Sequence, residues 1–196
     1  MQRRIGLTGG IASGKSSVGT LLADGGWPVL DADRYSREAL VAGMDTTTKV
    51  LDHFGARIRS EEVSTSIDRA ALARIVFNDA DERRWLEQLL HPLIQKRFQA
   101  ELTARTMEPV VVLMIPLLYE AGLSHLCSEV WLVDCDESQQ LNRLMQRNSL
   151  SETEARQRLA AQWPLSEKRK HADRIIDNRG SFEALNEKVN ALMSAG

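Results

Sequence analysis

The run Gly9-Gly10-Ile11-Ala12-Ser13-Gly14-Lys15-Ser16 matches G-x-x-x-x-G-K-[ST] at every defined position. That spacing suits the phosphates of a nucleotide. The glycines let successive backbone N–H groups turn inward around phosphate oxygens, where a helix N-terminus adds its partial positive charge. Lys15 has the reach to meet the β- and γ-phosphates as a flexible point charge, and the Ser16 hydroxyl suits the coordination of Mg²⁺. A glycine-rich turn capping an ordinary helix would share some of these residues. Here all of them stand between an apolar, strand-like run and a helical pattern, which is the context that nucleotide binding requires. The motif leaves the reaction open, because switches, transporters and kinases share it.

Two further groups could work on a phosphoryl group. Asp31-Ala32-Asp33 closes a second apolar run, at the carboxyl end of a predicted strand, the end that faces the ligand crevice in open α/β sheets. Either aspartate could face the phosphate loop, and Asp33 could equally cap a helix starting at Arg34. Arg143 and Arg147 are four apart, hence on one face of a predicted helix, and could make bidentate contacts with phosphate oxygens. A solvated helix face would look the same. Between Arg143 and Arg179, nine Lys/Arg stand against five Asp/Glu, in a chain whose formal net charge is −2. The local surplus favours the phosphate-facing reading.

The elements that must position these groups follow from periodicity. Arg3-Arg4-Ile5-Gly6-Leu7 reads as a buried strand leading into the loop, with a helix from Lys15 to about Asp24 stopped by Gly25-Gly26. Trp27 to Asp31 reads as a second strand, so a βαβ unit begins here. From Asp33 to about Arg105 the pattern is almost wholly helical, with Leu86, Leu89, Leu90, Leu93 and Ile94 at three- and four-residue spacing. Pro109 to Ile115 and Glu129 to Asp134 are continuous and rich in β-branched residues, as in parallel strands buried on both faces. Asp136 to about His171 is helical again, with a capping box at Ser151-Glu152-Thr153-Glu154. Arg174 to Asp177 reads as a last short strand, followed by a closing helix from Ser181. The sum is a parallel α/β sheet carrying a helical insertion and a basic helical hairpin.

Composition narrows the function classes. With 43% hydrophobic residues in 196 positions, the chain can bury a sizeable core, and one domain is the default. No stretch is apolar and long enough for a membrane span or a signal-peptide core, so a cytoplasmic location is expected. Cys127 and Cys135 form no CxxC pair, and the four histidines lack metal-site spacing. The slight negative charge argues against general nucleic-acid binding. A GTP-binding switch would need an NKxD-type element, and none exists. Asp52-His53-Phe54-Gly55 fits DxxG by letters but lies in the helical stretch, where it reads as structural.

Taken together the motifs resemble the dephospho-coenzyme A kinases. The resemblance runs from Ile5-Gly6-Leu7-Thr8-Gly9-Gly10-Ile11 through Asp31-Ala32-Asp33 with Ser36-Arg37-Glu38, Ile67-Asp68-Arg69, and Leu89-Leu90-His91-Pro92-Leu93-Ile94. It continues with Ile115-Pro116-Leu117-Leu118-Tyr119-Glu120, the arginine pair, Leu159-Ala160-Ala161-Gln162, and Ile176-Asp177-Asn178. The resemblance implies a P-loop kinase fold with a parallel five-stranded sheet, a helical substrate-binding insertion and a helical lid. It puts the nucleotide-binding core at about 1–33, 107–142 and 173–196, the substrate domain at about 34–106 and the lid at about 143–172. The implied reaction is ATP-dependent phosphorylation of the ribose 3′-hydroxyl of dephospho-coenzyme A, the last step of coenzyme A biosynthesis.

By position, the resemblance assigns Gly10, Ile11, Ala12, Ser13, Gly14, Lys15, Ser16, Ser17 and Asn178 to ATP, and Ser16 to Mg²⁺. Asp33 matches the catalytic base, acting with Lys15 and the lid arginines Arg143 and Arg147. Thr8, Asp31, Asp33, Arg69, His91, Pro116 and Leu117 fall to the acceptor. Beyond this small-molecule substrate no nucleic acid, membrane or obligatory protein partner is expected, and a monomer is. Many members carry an aspartate where this chain has Met114, which leaves more of the metal chemistry to Ser16, Asp33 and water. The runner-up is another small-molecule P-loop kinase of the nucleoside monophosphate or shikimate type. The His91-Pro92 and Pro116-to-Glu120 blocks stand against it.

Overall fold

The computed structural model describes residues 2–60, 63 and 65–194. Glu61, Glu62 and Ser64, which fall in the expected helical stretch, lie outside the described residues, as do Met1, Ala195 and Gly196. In chain order the elements begin β1 (Arg3–Gly9), α1 (Lys15–Asp24), β2 (Val29–Asp31), α2 (Ala32–Ala39), α3 (Asp45–Phe54), α4 (Arg69–Asn78) and α5 (Ala80–Ala104). They continue with β3 (Val110–Met114), β4 (Glu129–Asp134), α6 (Glu137–Asn148), α7 (Glu152–Ala160), α8 (Leu165–Lys168), β5 (Arg174–Asp177) and α9 (Phe182–Ser194). The chain divides into two compact units, Met1–Ala32 with Ala100–Gly196, and Asp33–Gln99.

In the first unit the five strands pair in parallel in the order β2-β3-β1-β4-β5. β1 is central because its residues from Ile5 onward are buried, as strands covered on both faces must be. Its register sets Leu7 beside Met114 on one side and beside Trp131 on the other. Parallel pairing brings all five carboxyl ends to one edge. There β1 enters the phosphate loop, β2 ends at Asp31, and β3 runs into Ile115-Pro116. β2 is shorter than the sequence suggests. Pro28 lacks an N–H and joins the ladder only through its carbonyl, which accepts from Val112 N at 2.8 Å.

α1 and α9 cover one face, where Val18, Leu22, Leu185 and Val189 pack on Ile5, Leu7, Val112, Trp131, Val133 and Ile176. Gly19 lies on this side of α1. A Cβ there would come 2.7 Å from Met114 Sδ, so the methionine fills the space that the glycine leaves. Trp131 is fully buried and its ring centroid lies 6.0 Å from that of Trp27. Its indole N–H donates to Glu129 at 2.8 Å, and Glu129 also pairs with Arg3. Burial works against the ionised Glu129 carboxylate, but these donors outweigh it and hold its pKa below the ordinary range.

The second unit has its own cluster: Val50, Leu51, Phe54 and Ile58 pack with Ile67, Ala71, Leu72 and Val76, and Trp85, Leu86 and Leu89 close over them. Asp68 caps α4, accepting from Ala70 N at 2.9 Å and Ala71 N at 3.0 Å. The long helical stretch is broken into separate helices, with an isolated antiparallel bridge between Arg59 and Ile67. Of the expected apolar stripe on α5, Leu90 and Ile94 are buried, but Leu93 is 40% exposed. Its neighbour Pro92 lies inside the helix and denies the Gln88 carbonyl its helical donor. Among the described residues no helix is long and apolar enough to cross a membrane.

The first unit's core gives a direct test. Trp131→Ala should cost about 3–5 kcal/mol, the range for emptying a buried aromatic site. It also strips Glu129 of a donor. Urea denaturation reads the loss, and a cost below about 1 kcal/mol would mean that the site collapses without strain.

Candidate active site

The phosphate loop is set by two residues with positive φ. Gly14 stands at 96° and Ala12 at 58°, the latter unusual for a residue with a side chain. Such a backbone needs external support, and it comes from three distant side chains. Asn178, just after β5, donates from Nδ2 to the Ser13 carbonyl at 2.8 Å. Gln140 on α6 donates to the Ile11 carbonyl at 2.7 Å. The side-chain carbonyl of Gln162, after α7, accepts from Ile11 N at 2.9 Å. Gly10 and Gly14 make this possible, since a Cβ at Gly10 would run into Gln140 and one at Gly14 into Asn178.

Behind the loop α1 starts at Lys15, whose residue is only 8% exposed, while Ser16 and Ser17 are exposed in its first turn. Gly14 has no side chain to cap α1, so the first amides of the helix remain suited to an anion. Ser13 Oγ and Arg143 Nη1 are buried with no hydrogen-bond partner among the described residues. Ser13 Oγ is packed against Gly9 at the end of β1, where a Cβ would meet it.

The two arginines expected in a lid part company. Arg143 Nη2 donates to the Asn178 carbonyl at 3.2 Å, which brings its charge to the loop's own brace. Arg147 is exposed and pairs with its neighbour Asn148 at 2.9 Å. Asn178 is thereby occupied at both ends, by Ser13 and by Arg143.

On the β3 side, Thr8 is fully buried and its hydroxyl donates to the Pro116 carbonyl at 3.2 Å. Pro116 and Leu117 are half-buried where β3 leaves the sheet. Asp31 ends β2 in register with Met114, which is 7% exposed and packed in the apolar core. A cavity of about 570 Å³ opens beside the loop, bounded by Gly10, Asp136, Gln140, Gln162, Trp163 and Arg169.

In the second unit Asp33 is exposed and is the second residue of α2. This corrects the capping expectation. β2 hands over to the helix at Ala32, without the spacer that a start at Arg34 would need, so Asp33 meets the helix dipole from within the first turn. Arg69 opens α4 and donates to the Arg37 carbonyl at 3.0 Å, at the end of α2. His91 is half-buried on α5.

Sequence reasoning missed Gln140 and Lys168. Gln140 is 5% exposed and lies four residues before the fully buried Leu144. A polar residue at core spacing was the available signal. Lys168 is wholly buried, with its ammonium 2.9 Å from Glu120 and 2.9 Å from the Pro116 carbonyl. Burial pushes its pKa down, and Glu120 pulls it back up. Its signal was the PLLYE glutamate, which needed a cation nearby.

A parallel sheet with β1 at its centre and a glycine loop from β1 into α1, braced by Asn178, Gln140 and Gln162, define a P-loop kinase-type nucleotide site. Comparison with known proteins narrows this. The family described as Dephospho-CoA kinase matches residues 3–184. The dephospho-CoA kinase of Parasynechococcus marenigrum is 59% identical over 185 residues, covering 94% of this chain and 92% of that one. A Thermus thermophilus protein of known crystal structure superposes with a TM-score of 0.81 at 35% identity, over 99% of this chain and 97% of that one. The dephospho-CoA kinase of Campylobacter jejuni does so with a TM-score of 0.70 at 27% identity, over 99% and 96%. The chain belongs to the dephospho-CoA kinase family.

The Asn178 brace can be tested without touching Lys15. Asn178→Asp replaces the donor to Ser13 with a carboxylate that faces a carbonyl. ATP affinity should fall at least about tenfold, in keeping with about 1–3 kcal/mol for a buried polar group left unsatisfied. Asn178→Ala should lose less. Calorimetric titration with ATP gives the order, and an aspartate variant that binds like the parent would remove the brace from the account.

Proposed function

We propose that this chain transfers the γ-phosphoryl group of ATP to the ribose 3′-hydroxyl of dephospho-coenzyme A, giving coenzyme A and ADP. The observation that carries the reading is the braced phosphate loop in a chain whose family match runs almost from end to end. The acceptor's 3′-oxygen attacks the γ-phosphorus, the bond from that phosphorus to the bridging oxygen breaks, and ADP leaves with the electron pair. Asp33 takes the hydroxyl proton. Lys15 and the loop residues Gly10, Ile11, Ala12, Ser13, Gly14, Ser16 and Ser17 bind the phosphate chain, and Arg143 meets the charge that develops on the transferring group.

Mg²⁺ fits this donor set. No cluster of three or more His, Cys, Asp or Glu side chains suited to a metal occurs among the described residues. A cage is not what Mg²⁺ needs, since it keeps waters and binds through one or two protein oxygens plus substrate phosphates. The Ser16 hydroxyl is the protein oxygen offered here. When bound, the ion would neutralise charge between the β- and γ-phosphates. Asp31 and Asp33 are the carboxylates proposed to orient its waters, because Met114 offers none.

On the acceptor side we assign Arg69 and His91 to the coenzyme's remote groups, and Pro116 and Leu117 to the adenosine end. Thr8 serves by holding Pro116. Asn178 serves the nucleotide through the loop. The reading needs neither nucleic acid nor membrane, and it suits a monomer in the cytoplasm.

Mass measurement after incubation with ATP, Mg²⁺ and dephospho-coenzyme A should show a gain of one phosphoryl group, and AMP should be a far poorer acceptor. A comparable kcat/KM for AMP would overturn the assignment. Lys15→Ala should abolish transfer while the protein still folds. Asp33→Asn should lower kcat roughly 10²–10⁴-fold, the range for a positioned general base, with ATP affinity retained. Losing the Asp33 charge from the first turn of α2 costs only about 0.3–1 kcal/mol. A stable variant with parental turnover would move the base to Asp31. For the lid, Arg143→Ala should slow transfer by roughly 10²-fold or more and Arg147→Ala much less, because only the former reaches the loop's brace. Equal effects in a single-turnover assay would put the two arginines back on the same footing.

A further inference from the structure

A closed circuit of hydrogen bonds joins the strand that enters the phosphate loop, the segment that follows β3, and the segment between α7 and α8. Lys168 Nζ donates to the Pro116 carbonyl at 2.9 Å and lies 2.9 Å from Glu120 Oε1. The same Glu120 oxygen accepts from the backbone N–H of Trp163 at 2.9 Å. Its neighbour Gln162 holds Ile11 N at 2.9 Å, and Thr8 holds Pro116 from the β1 side at 3.2 Å. The ring of Tyr119 stacks on that of Trp163, with centroids 6.0 Å apart and planes 14° apart. Three segments beside the loop are thereby tied to one ion pair.

A fully buried ammonium is an expensive way to hold two segments together. Taking both charges out of water costs several kcal/mol per ion, and replacing such a pair with uncharged groups of similar volume is often neutral or stabilising. Stability alone does not call for Lys168. What the pair gives is direction: the two bonds of the ammonium set where one carbonyl and one carboxylate oxygen lie, which an apolar contact would leave to slide. Leu165, three residues before Lys168, already supplies apolar packing, against Leu132 and Cys135. A methionine at 168 would extend that packing and lose the bond to Pro116.

We infer that Lys168 and Glu120 are positioning residues for phosphoryl transfer, clamping Pro116 and the segment after it in register with the phosphate loop. The inference rests on the proposed role of Pro116 and Leu117 at the acceptor. The clamp acts on geometry and not on ATP affinity, because neither side chain bonds to the loop. Its removal should separate the two substrates: ATP binding stays, and productive placement of the acceptor suffers.

The experiment compares Lys168→Met, the double variant Lys168→Met/Glu120→Gln, and Lys168→Arg in the full chain. The double variant removes both charges at nearly constant volume and leaves an oxygen for Trp163 N, so it should fold even if the single methionine variant does not. The double variant should keep its melting temperature near the parent's and its Kd for ATP within about twofold, while kcat with dephospho-coenzyme A falls at least about tenfold. Lys168→Arg, which keeps the cation and its donors, should recover part of the rate. Parental kcat in a folded double variant would overturn the inference, as would equal losses in ATP affinity and kcat, which mark a general loosening. The parent's own turnover with dephospho-coenzyme A reports separately on the functional reading. If another alcohol proves to be the acceptor, the ratio of variant to parent is taken with that alcohol and still decides the clamp.

Discussion

The phosphate loop is a short stretch of backbone held in a conformation that most residues resist. Positive φ at Ala12 and Gly14 turns the amides inward, and a chain left to itself would relax from it. What prevents relaxation is that the loop's own carbonyls are occupied: Ser13 by Asn178 and Ile11 by Gln140. Gln162 holds Ile11 N and the Gly10 carbonyl holds Ser13 N, so the brace acts on amides as well as carbonyls and fixes the whole turn that leads into α1. The order of the sheet then matters, because β4 and β5 must lie on that flank of β1 for α6 and Asn178 to reach the loop.

Much of this was legible in the sequence. The eight-residue loop motif marked the nucleotide site, β3 and β4 announced themselves through β-branched apolar runs, and β1 through its short apolar lead into the loop. The capping box at Ser151 and Glu154 is present, because it depends on residues three apart and on nothing distant. The five-stranded parallel sheet and the family follow as the motifs implied. Elements whose limits depend on a single neighbour were less legible. β2 is cut to three residues by Pro28, and α2 starts two residues earlier than the first charged run suggests.

The side chains that brace the site were the hardest to read. Gln140, Gln162 and Lys168 act on carbonyls, amides or carboxylates far away in the chain, and no local spacing reveals such a partner. Arg143 and Arg147 were equivalent by helix periodicity, yet only Arg143 meets Asn178. Four residues of helical rise carry Arg147 beyond reach of it, to the surface and to Asn148. Periodicity assigns a face, and tertiary contacts decide which position along that face matters.

The division of the chain also bears on how it emerges from the ribosome. The stretch Asp33–Gln99 is uninterrupted and has its own apolar cluster, whereas the sheet unit is split around it. β1 is made first but sits between β3 and β4, so its partners at Val110 and Glu129 are synthesised only after the whole intervening unit. At ordinary rates of synthesis that is a wait of about 5–20 s, during which an apolar strand and a glycine-rich tail have nothing to pair with. Asn178 comes later still, 165 residues after the Ser13 carbonyl it holds. The nascent chain thus carries its nucleotide motif long before the residue that braces it is made.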